Sequence, residues 1–348
     1  MNPYVLLALL SSLGLGTTLT FASSHWLLAW MGLEINTLAI VPLMAQHHHP
    51  RAVEATTKYF LTQATAAAVI LFASTTNAWI TGQWSMDSIS SPIASTMIIA
   101  ALALKIGLAP MHFWMPEVLQ GLDLLTGLIL STWQKLAPLA LIVLVAHAVD
   151  PLLLTALGLM STLVGGWGGL NQTQLRKILA YSSIAHMGWM IIILQYAPHL
   201  TLLALLTYIF MTSAAFLTLK FSTATKIGTL ATTWSKSPIL VTTAALVLLS
   251  LGGLPPLTGF MPKWMILQEL AKQSLPLTAT LMALAALLSL YFYLRLCYAM
   301  ALTISPNTIV SVTPWRLQTS YSSLFLALST VMALGLLPVT PAIVMLMT

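Results

Sequence analysis

Apolar runs broken by short polar clusters fill this chain from end to end. Charge-free stretches run from Met1 to Leu33, Pro151 to Leu175, Ile178 to Leu219, Gln273 to Leu294 and Leu317 to Thr348, and a helix of about 20 apolar residues crosses the hydrocarbon core of a bilayer. Dividing the sequence at its Pro, Gly, Asn and charged clusters predicts eleven spans, near 3–21, 26–45, 58–81, 93–120, 124–147, 151–171, 177–195, 200–221, 238–272, 276–301 and 321–342. The runs are far longer than the ten-residue alternating strands of a membrane barrel, and hydrocarbon offers no partner to an open backbone, so the spans are expected to be helices. The expected fold is an all-α polytopic membrane protein forming a single transmembrane domain over 1–348. An odd number of spans puts the termini on opposite sides.

Two spans are too long for one straight helix and carry internal prolines: Pro110 and Pro116 in 93–120, and Pro255, Pro256 and Pro262 in 238–272. Proline removes an amide donor and crowds the turn before it, so both are expected to be broken helices. Gly107-Leu108-Ala109-Pro110 through Met115-Pro116-Glu117, and Gly253-Leu254-Pro255-Pro256 through Met261-Pro262-Lys263, share G-L-x-P-x4-M-P at a shift of 146. The breaks fall five spans apart, an odd number, so the copies would run in opposite directions, the inverted repeat common in secondary transporters. Repeat one covers about 1–147 and repeat two about 151–301, with a C-terminal helix at 321–342. The plainer alternative is a chance likeness of two proline-kinked helices, since Pro and Gly are frequent in membrane spans.

Composition removes whole classes of function. Hydrophobic residues make up 58% and charged residues 6% of the chain, against about 25% charged in a soluble domain, which excludes a soluble enzyme. The net charge of +6 belongs to short loops rather than to a nucleic-acid surface. Arg51, Lys58, Arg176, Lys177, Lys220, Lys226, Lys236, Arg295 and Arg316 fall on the side of the N-terminus, against Lys272 alone on the other. That side is therefore expected to face the cytoplasm or a mitochondrial matrix. Met1-Asn2-Pro3-Tyr4 opens straight into an apolar run with no basic leader. One cysteine, Cys297, supplies neither an internal disulfide nor a ligand set for iron–sulfur or zinc.

Four ionisable residues remain well inside the spans: Glu34, Lys105, Lys135 and Lys263. Each costs about 2.5 to 3.5 kcal/mol at the bilayer centre on insertion scales, so they are expected to turn inward, where Glu34 can pair with a lysine and water can enter beside the broken helices. Desolvation disfavours an ammonium and a neighbouring carboxylate favours it. Moving Glu34 relative to a lysine would therefore switch that lysine between holding and releasing its proton. The plainer reading makes one Glu–Lys pair a tie between helices, leaving two lysines unexplained. His112 and His186 are candidate relays between lysines, with Thr132, Ser182 and Ser183 holding connecting waters, although a membrane histidine also serves as a packing group. His147 sits at a span end. His47-His48-His49 lies in a loop beside Pro50 and Arg51 with no further ligand, so no metal is expected there. His112 and His186 make a poor haem pair, and no nucleotide-binding glycine motif follows a strand. Gly165-Gly166-Trp167-Gly168-Gly169 is read as a close helix contact.

An early Glu, a Lys in K-x-G-x-x-P-x-H-x-W-x-P-E-V (Lys105 to Val118), a Lys one helix later and a Lys after a second break together resemble the antiporter-like membrane subunits of respiratory complex I. The resemblance spans essentially the whole chain, and its length and eleven spans are similar to a mitochondrial member of animals rather than to longer bacterial ones. It implies a proton-translocating subunit of the NADH:ubiquinone reductase in the mitochondrial inner membrane, with the N-terminus in the matrix and the C-terminus in the intermembrane space. It assigns Glu34, Lys105, Lys135 and Lys263 to the proton path. It also implies no cofactor in this chain, with NADH, FMN, iron–sulfur clusters and ubiquinone held by neighbouring subunits. Other membrane subunits and phospholipids such as cardiolipin are the implied partners. A stand-alone cation/proton antiporter of the same superfamily is the alternative. One departure concerns the second repeat, where Leu251 takes the place of Lys105 and Ala180 that of Glu34, which favours one path over two symmetric channels.

Overall fold

The computed structural model describes residues 2–46, 48–235, 237–301 and 323–347. His47, Lys236, Arg316 and the first two residues of the expected last span, 321–322, lie outside the described residues. The described chain is helical: α1 Pro3–Ala22, α2 Trp26–Met44, α3 Pro50–Thr81, α4 Pro92–Ile106, α5 Trp114–Gly121, α6 Leu124–Val145, α7 Pro151–Gly168, α8 Leu175–Ile193, α9 Pro198–Ser222, α10 Ile227–Ala231, α11 Pro238–Gly252, α12 Phe260–Lys272, α13 Pro276–Ala301, α14 Leu324–Gly335 and α15 Thr340–Met347. Seven of these helices begin on a proline, where the missing N–H is one the first turn leaves unbonded and the fixed φ already suits a helix. Among the described residues seven helices are singly long and apolar enough to cross a membrane, and the bent pair α14/α15 makes an eighth.

The chain divides into two compact units, Met1–Met160 and Ser161–Thr348. In the first, α1 and α2 meet through glycines. A Cβ built on Gly16 would stand 2.9 Å from the Gly32 carbonyl oxygen, and one on Gly32 would stand 2.8 Å from that of Gly16, so only hydrogen fits at the crossing. Helix α3 starts earlier than expected, and its 32 residues reach about 48 Å. Its first turns project past a core of about 30 Å, which is why Glu54 and Lys58 are helical rather than in a loop. The Lys58 ammonium lies 2.8 Å from Glu54 and 2.7 Å from Glu117 of α5, fastening α5 to α3.

Each unit contains one broken helix, and the two breaks are built alike. Gly107 and Gly253 adopt φ of +85° and +82°, the left-handed conformation that glycine takes without a Cβ clash. Past each glycine the chain folds back on the last turn: Leu108 N–H donates to the Ala103 carbonyl, and Leu254 N–H to that of Leu249, the hydrogen bond that closes a Schellman ending. The peptide bonds preceding Pro110 and Pro256 are both cis. In the second unit the glycine run of α7 does pack closely: a Cβ on Gly165 would meet the Ala185 backbone of α8, and one on Gly166 would meet Leu288 of α13.

The last span departs from the sequence reading of one helix over 321–342. Helices α14 and α15 bend by 62° around the 3-10 turn Leu337–Val339, because Pro338 and Pro341 cannot donate to the turn before them.

Gly16→Ala is expected to destabilise the α1/α2 crossing by about 1 to 3 kcal/mol through overpacking, seen as a lower thermal midpoint or reduced abundance of the assembled protein on native gels. Gly14→Ala, whose Cβ meets nothing within 4 Å, should leave both unchanged.

Candidate functional site

In the first unit, helical spacing carries polar groups from four helices to one place. Leu33 and Thr37 are one turn apart on α2, Tyr59 and Gln63 on α3, and Gln134 and Pro138 on α6, so each pair shares a face. The αL glycine at Gly107 ends α4 two residues after Lys105, leaving that lysine on the last turn. Together these faces enclose a cavity of about 10 Å³ whose walls include Asn36, Thr37, Gln63, Lys105, Gln134 and Lys135. That volume is close to what one water requires.

Both lysines are deeply placed, Lys105 at 5% and Lys135 at 2% exposure, and the Lys105 ammonium has no hydrogen-bond partner among the described residues. The buried Asn36 amide oxygen is likewise unmatched. Gln134 Nε2 donates to the Asn36 carbonyl at 3.2 Å, tying α6 to α2 beside the cavity. Glu34 is half-buried on α2 and is not part of the wall. Among the described residues no ion pair joins it to Lys105; its carboxylate accepts from Thr37 Oγ1 at 3.2 Å. Its charge nevertheless reaches Lys105 and Tyr59. The close carboxylate–lysine contact expected of Glu34 is thus replaced by a hydroxyl contact at its own helix turn.

In the second unit, Lys263 and His186 line a separate cavity of about 20 Å³ with Thr207. His186 Nδ1 donates to the Ser182 carbonyl one turn back at 2.7 Å, and its ring lies 5.5 Å from that of Tyr208. On another face Lys263 borders an apolar cleft of about 680 Å³ walled by Trp189, Phe260, Trp264, Leu287 and Leu290. His112 stands in the first break, with Nδ1 3.3 Å from the Pro110 carbonyl and its ring on Phe113 at 4.4 Å. It lies outside the wall of the Lys105 cavity. The structure therefore brings Lys105 together with Lys135, and His186 together with Lys263, while His112 joins neither cavity.

Ending a helix inside a membrane protein leaves carbonyls that need donors, and the two breaks find them differently. At the first, Trp114 Nε1 donates to the Leu104 carbonyl at 3.0 Å and Gln63 Nε2 to that of Lys105 at 3.5 Å. At the second, Phe260 occupies the position of Trp114 under the 146-residue shift and has no donor. Lys263 takes over, with Nζ 2.8 Å from the Gly252 carbonyl and 3.4 Å from that of Leu251, a cation at the negative end of a helix.

The sequence reading missed Asn36, Thr37, Gln63 and Gln134. Their signal was present: amide and hydroxyl side chains inside apolar spans. Among the described residues no group of three His, Cys, Asp or Glu side chains gathers to hold a metal ion.

Lysines lining small cavities beside two broken helices define the antiporter-like class of membrane subunit. Residues 23–289 match the model of the NADH:quinone oxidoreductase/Mrp antiporter membrane family, and residues 290–344 that of the NADH dehydrogenase subunit 2 C-terminus. The chain belongs to this family, in its subunit 2 branch. It is 82% identical to NADH-ubiquinone oxidoreductase chain 2 of Carassius auratus over 348 residues, covering 100% of both chains. It is 76% identical to the protein of that name in Danio rerio, again over 100% of both. A chain of respiratory complex I from Thermus thermophilus superposes with a TM-score of 0.85 at 28% identity, covering 99% of this chain and 80% of that one. A chain of the Mrp complex from Dietzia shares the fold, with a TM-score of 0.85 at 15% identity over 97% of this chain and 76% of that one.

Gly253→Ala is expected to displace the Lys263 side chain, because the new Cβ would fall 2.9 Å from Lys263 Nζ. Gly107→Ala carries the same left-handed backbone penalty, about 1 to 2 kcal/mol, but meets Met115 Sδ at 3.2 Å and Trp114 Cζ2 at 3.4 Å rather than a lysine. Proton yield of the assembled enzyme should fall in the first variant and hold in the second, with thermal midpoints lowered in both.

Proposed function

We propose that this chain is a proton-translocating membrane subunit of NADH:ubiquinone oxidoreductase, moving protons along buried Glu and Lys side chains. The observation that carries the reading is the water-sized polar cavity shared by Lys105 and Lys135. Two ammonium-bearing chains on one enclosed cavity repel when both are charged, and a proton shared between them through water relieves that cost. Glu34 supplies the negative charge that biases the pair. Lys263, with His186 beside it, forms a second station, and His112 lies off the path. The family and the 82% identical relative named as chain 2 support the assignment to the enzyme complex. The stand-alone antiporter gains only fold-level support from the 15% identical Mrp chain.

The finer parts of the proposal follow from this. NADH, FMN, iron–sulfur clusters and ubiquinone belong to other subunits, and the chain is a multi-pass protein of the mitochondrial inner membrane. The excess of Lys and Arg on one side puts the N-terminus in the matrix and the C-terminus in the intermembrane space. The two broken-helix copies, about 1–147 and 151–301, form an inverted repeat. The apolar cleft bordered by Lys263 suits a neighbouring membrane subunit, and inner-membrane phospholipids such as cardiolipin suit the remaining apolar faces.

In the assembled enzyme, Lys135→Met and Lys105→Ala should each lower proton-coupled turnover by about a hundredfold or more, the range for removing a proton-transfer group, while assembly on native gels is retained. Glu34→Gln should reduce the proton-to-electron ratio. Full turnover and full proton yield in all three variants would overturn the assignment of these residues.

A further inference from the structure

Thr37 is a wall residue of the Lys105 cavity whose side chain also hydrogen-bonds the Glu34 carboxylate. Its hydroxyl is 2.9 Å from the Glu34 carbonyl oxygen and 3.2 Å from carboxylate Oε2, in a side chain only 5% exposed. The carbonyl contact is ordinary: Thr17, Thr20 and Thr132 make the same bond to the turn before them. The carboxylate contact is not, because it gives one hydroxyl proton two acceptors of unequal charge, and the charged one makes the stronger bond. Thr37 and Lys105 line the same cavity, and the buried Lys105 ammonium has no hydrogen-bond partner among the described residues.

We propose that Thr37 is the positioning residue that connects Glu34 to the lysines, through one water seated between its hydroxyl and Lys105. An ammonium donates but never accepts, so it needs an acceptor, and one water fits the volume and meets several polar walls. The water accepts from Lys105 Nζ and donates to Thr37 Oγ1, and Thr37 donates to Glu34 Oε2. A proton leaving Nζ bonds to the water as the water's own proton moves to Oγ1 and the hydroxyl proton moves to Oε2. The result is a neutral Lys105, a protonated Glu34 and an unchanged water and threonine. Rotation of the hydroxyl toward the Glu34 main-chain carbonyl breaks the connection without moving a helix.

This inference rests on the proton-translocating reading, and the test separates the two. Thr37→Val keeps the branched shape and removes the hydroxyl; Thr37→Ser keeps the hydroxyl. In the assembled enzyme Thr37→Val should lose about tenfold in proton-coupled turnover, the lower end of what a hydrogen bond to a charged group contributes. Thr37→Ser should restore most of it, and Thr37→Val should add nothing in a Lys105→Ala background. Wild-type pumping in Thr37→Val, or equal impairment in both Thr37 variants, overturns the inference. If Lys105→Ala and Glu34→Gln remain impaired in that case, the wider reading stands; if they too pump normally, both fall. Should Thr37→Val fail to assemble, density for the wild-type enzyme decides: one water within about 3.2 Å of both Lys105 Nζ and Thr37 Oγ1 supports the connection, and a dry cavity excludes it.

Discussion

A main-chain carbonyl released inside hydrocarbon must find a donor, and the architecture around both breaks follows from that requirement. Ending α4 and α11 early opens the polar interior where lysines can sit, and it also leaves acceptors that no helix can satisfy. The indole of Trp114, the amide of Gln63 and the ammonium of Lys263 answer that need. Each is a long side chain reaching back from a different element to a helix end, so the groups that stabilise the breaks also bring polar chemistry to them.

The same requirement explains why the two halves are not copies in function. Where an indole caps the first break, Lys105 lines its cavity with no hydrogen-bond partner for its ammonium among the described residues. Where phenylalanine replaces the indole, a lysine performs the capping, and no lysine stands at Leu251 in the position of Lys105. One substitution at the head of the second short helix therefore goes with a different use of charge. The glycines at the breaks stay the same in both halves because the left-handed turn is a backbone demand, indifferent to which side chain later supplies the donor.

Much of this was legible in the sequence because membrane spans announce themselves through length and hydropathy. The breaks at Pro110 and Pro256, the likeness between them and the ionisable Glu34, Lys105, Lys135 and Lys263 within apolar spans could all be read from residue type and spacing. The partition of those residues could not. That Lys105 shares a cavity with Lys135, while Glu34 stands outside its wall and bonds Thr37, depends on how α2, α3, α4 and α6 rotate about their axes, which is set by side-chain packing with little trace in an apolar pattern. The final span failed for a local reason, since the turn signal of Pro338 and Pro341 was outweighed by the apolar run around it. His112 failed for another: placement in the break next to Lys105 along the chain does not place it on the same cavity wall.

Lys263 holds the end of α11 by its two last carbonyls while bordering a small cavity shared with His186 and a wide apolar cleft. An amine keeps N–H donors whether or not it carries charge, so the clasp survives either state, but the pull of a cation on the helix dipole does not. A change of charge on that one nitrogen therefore alters how strongly it grips the end of α11.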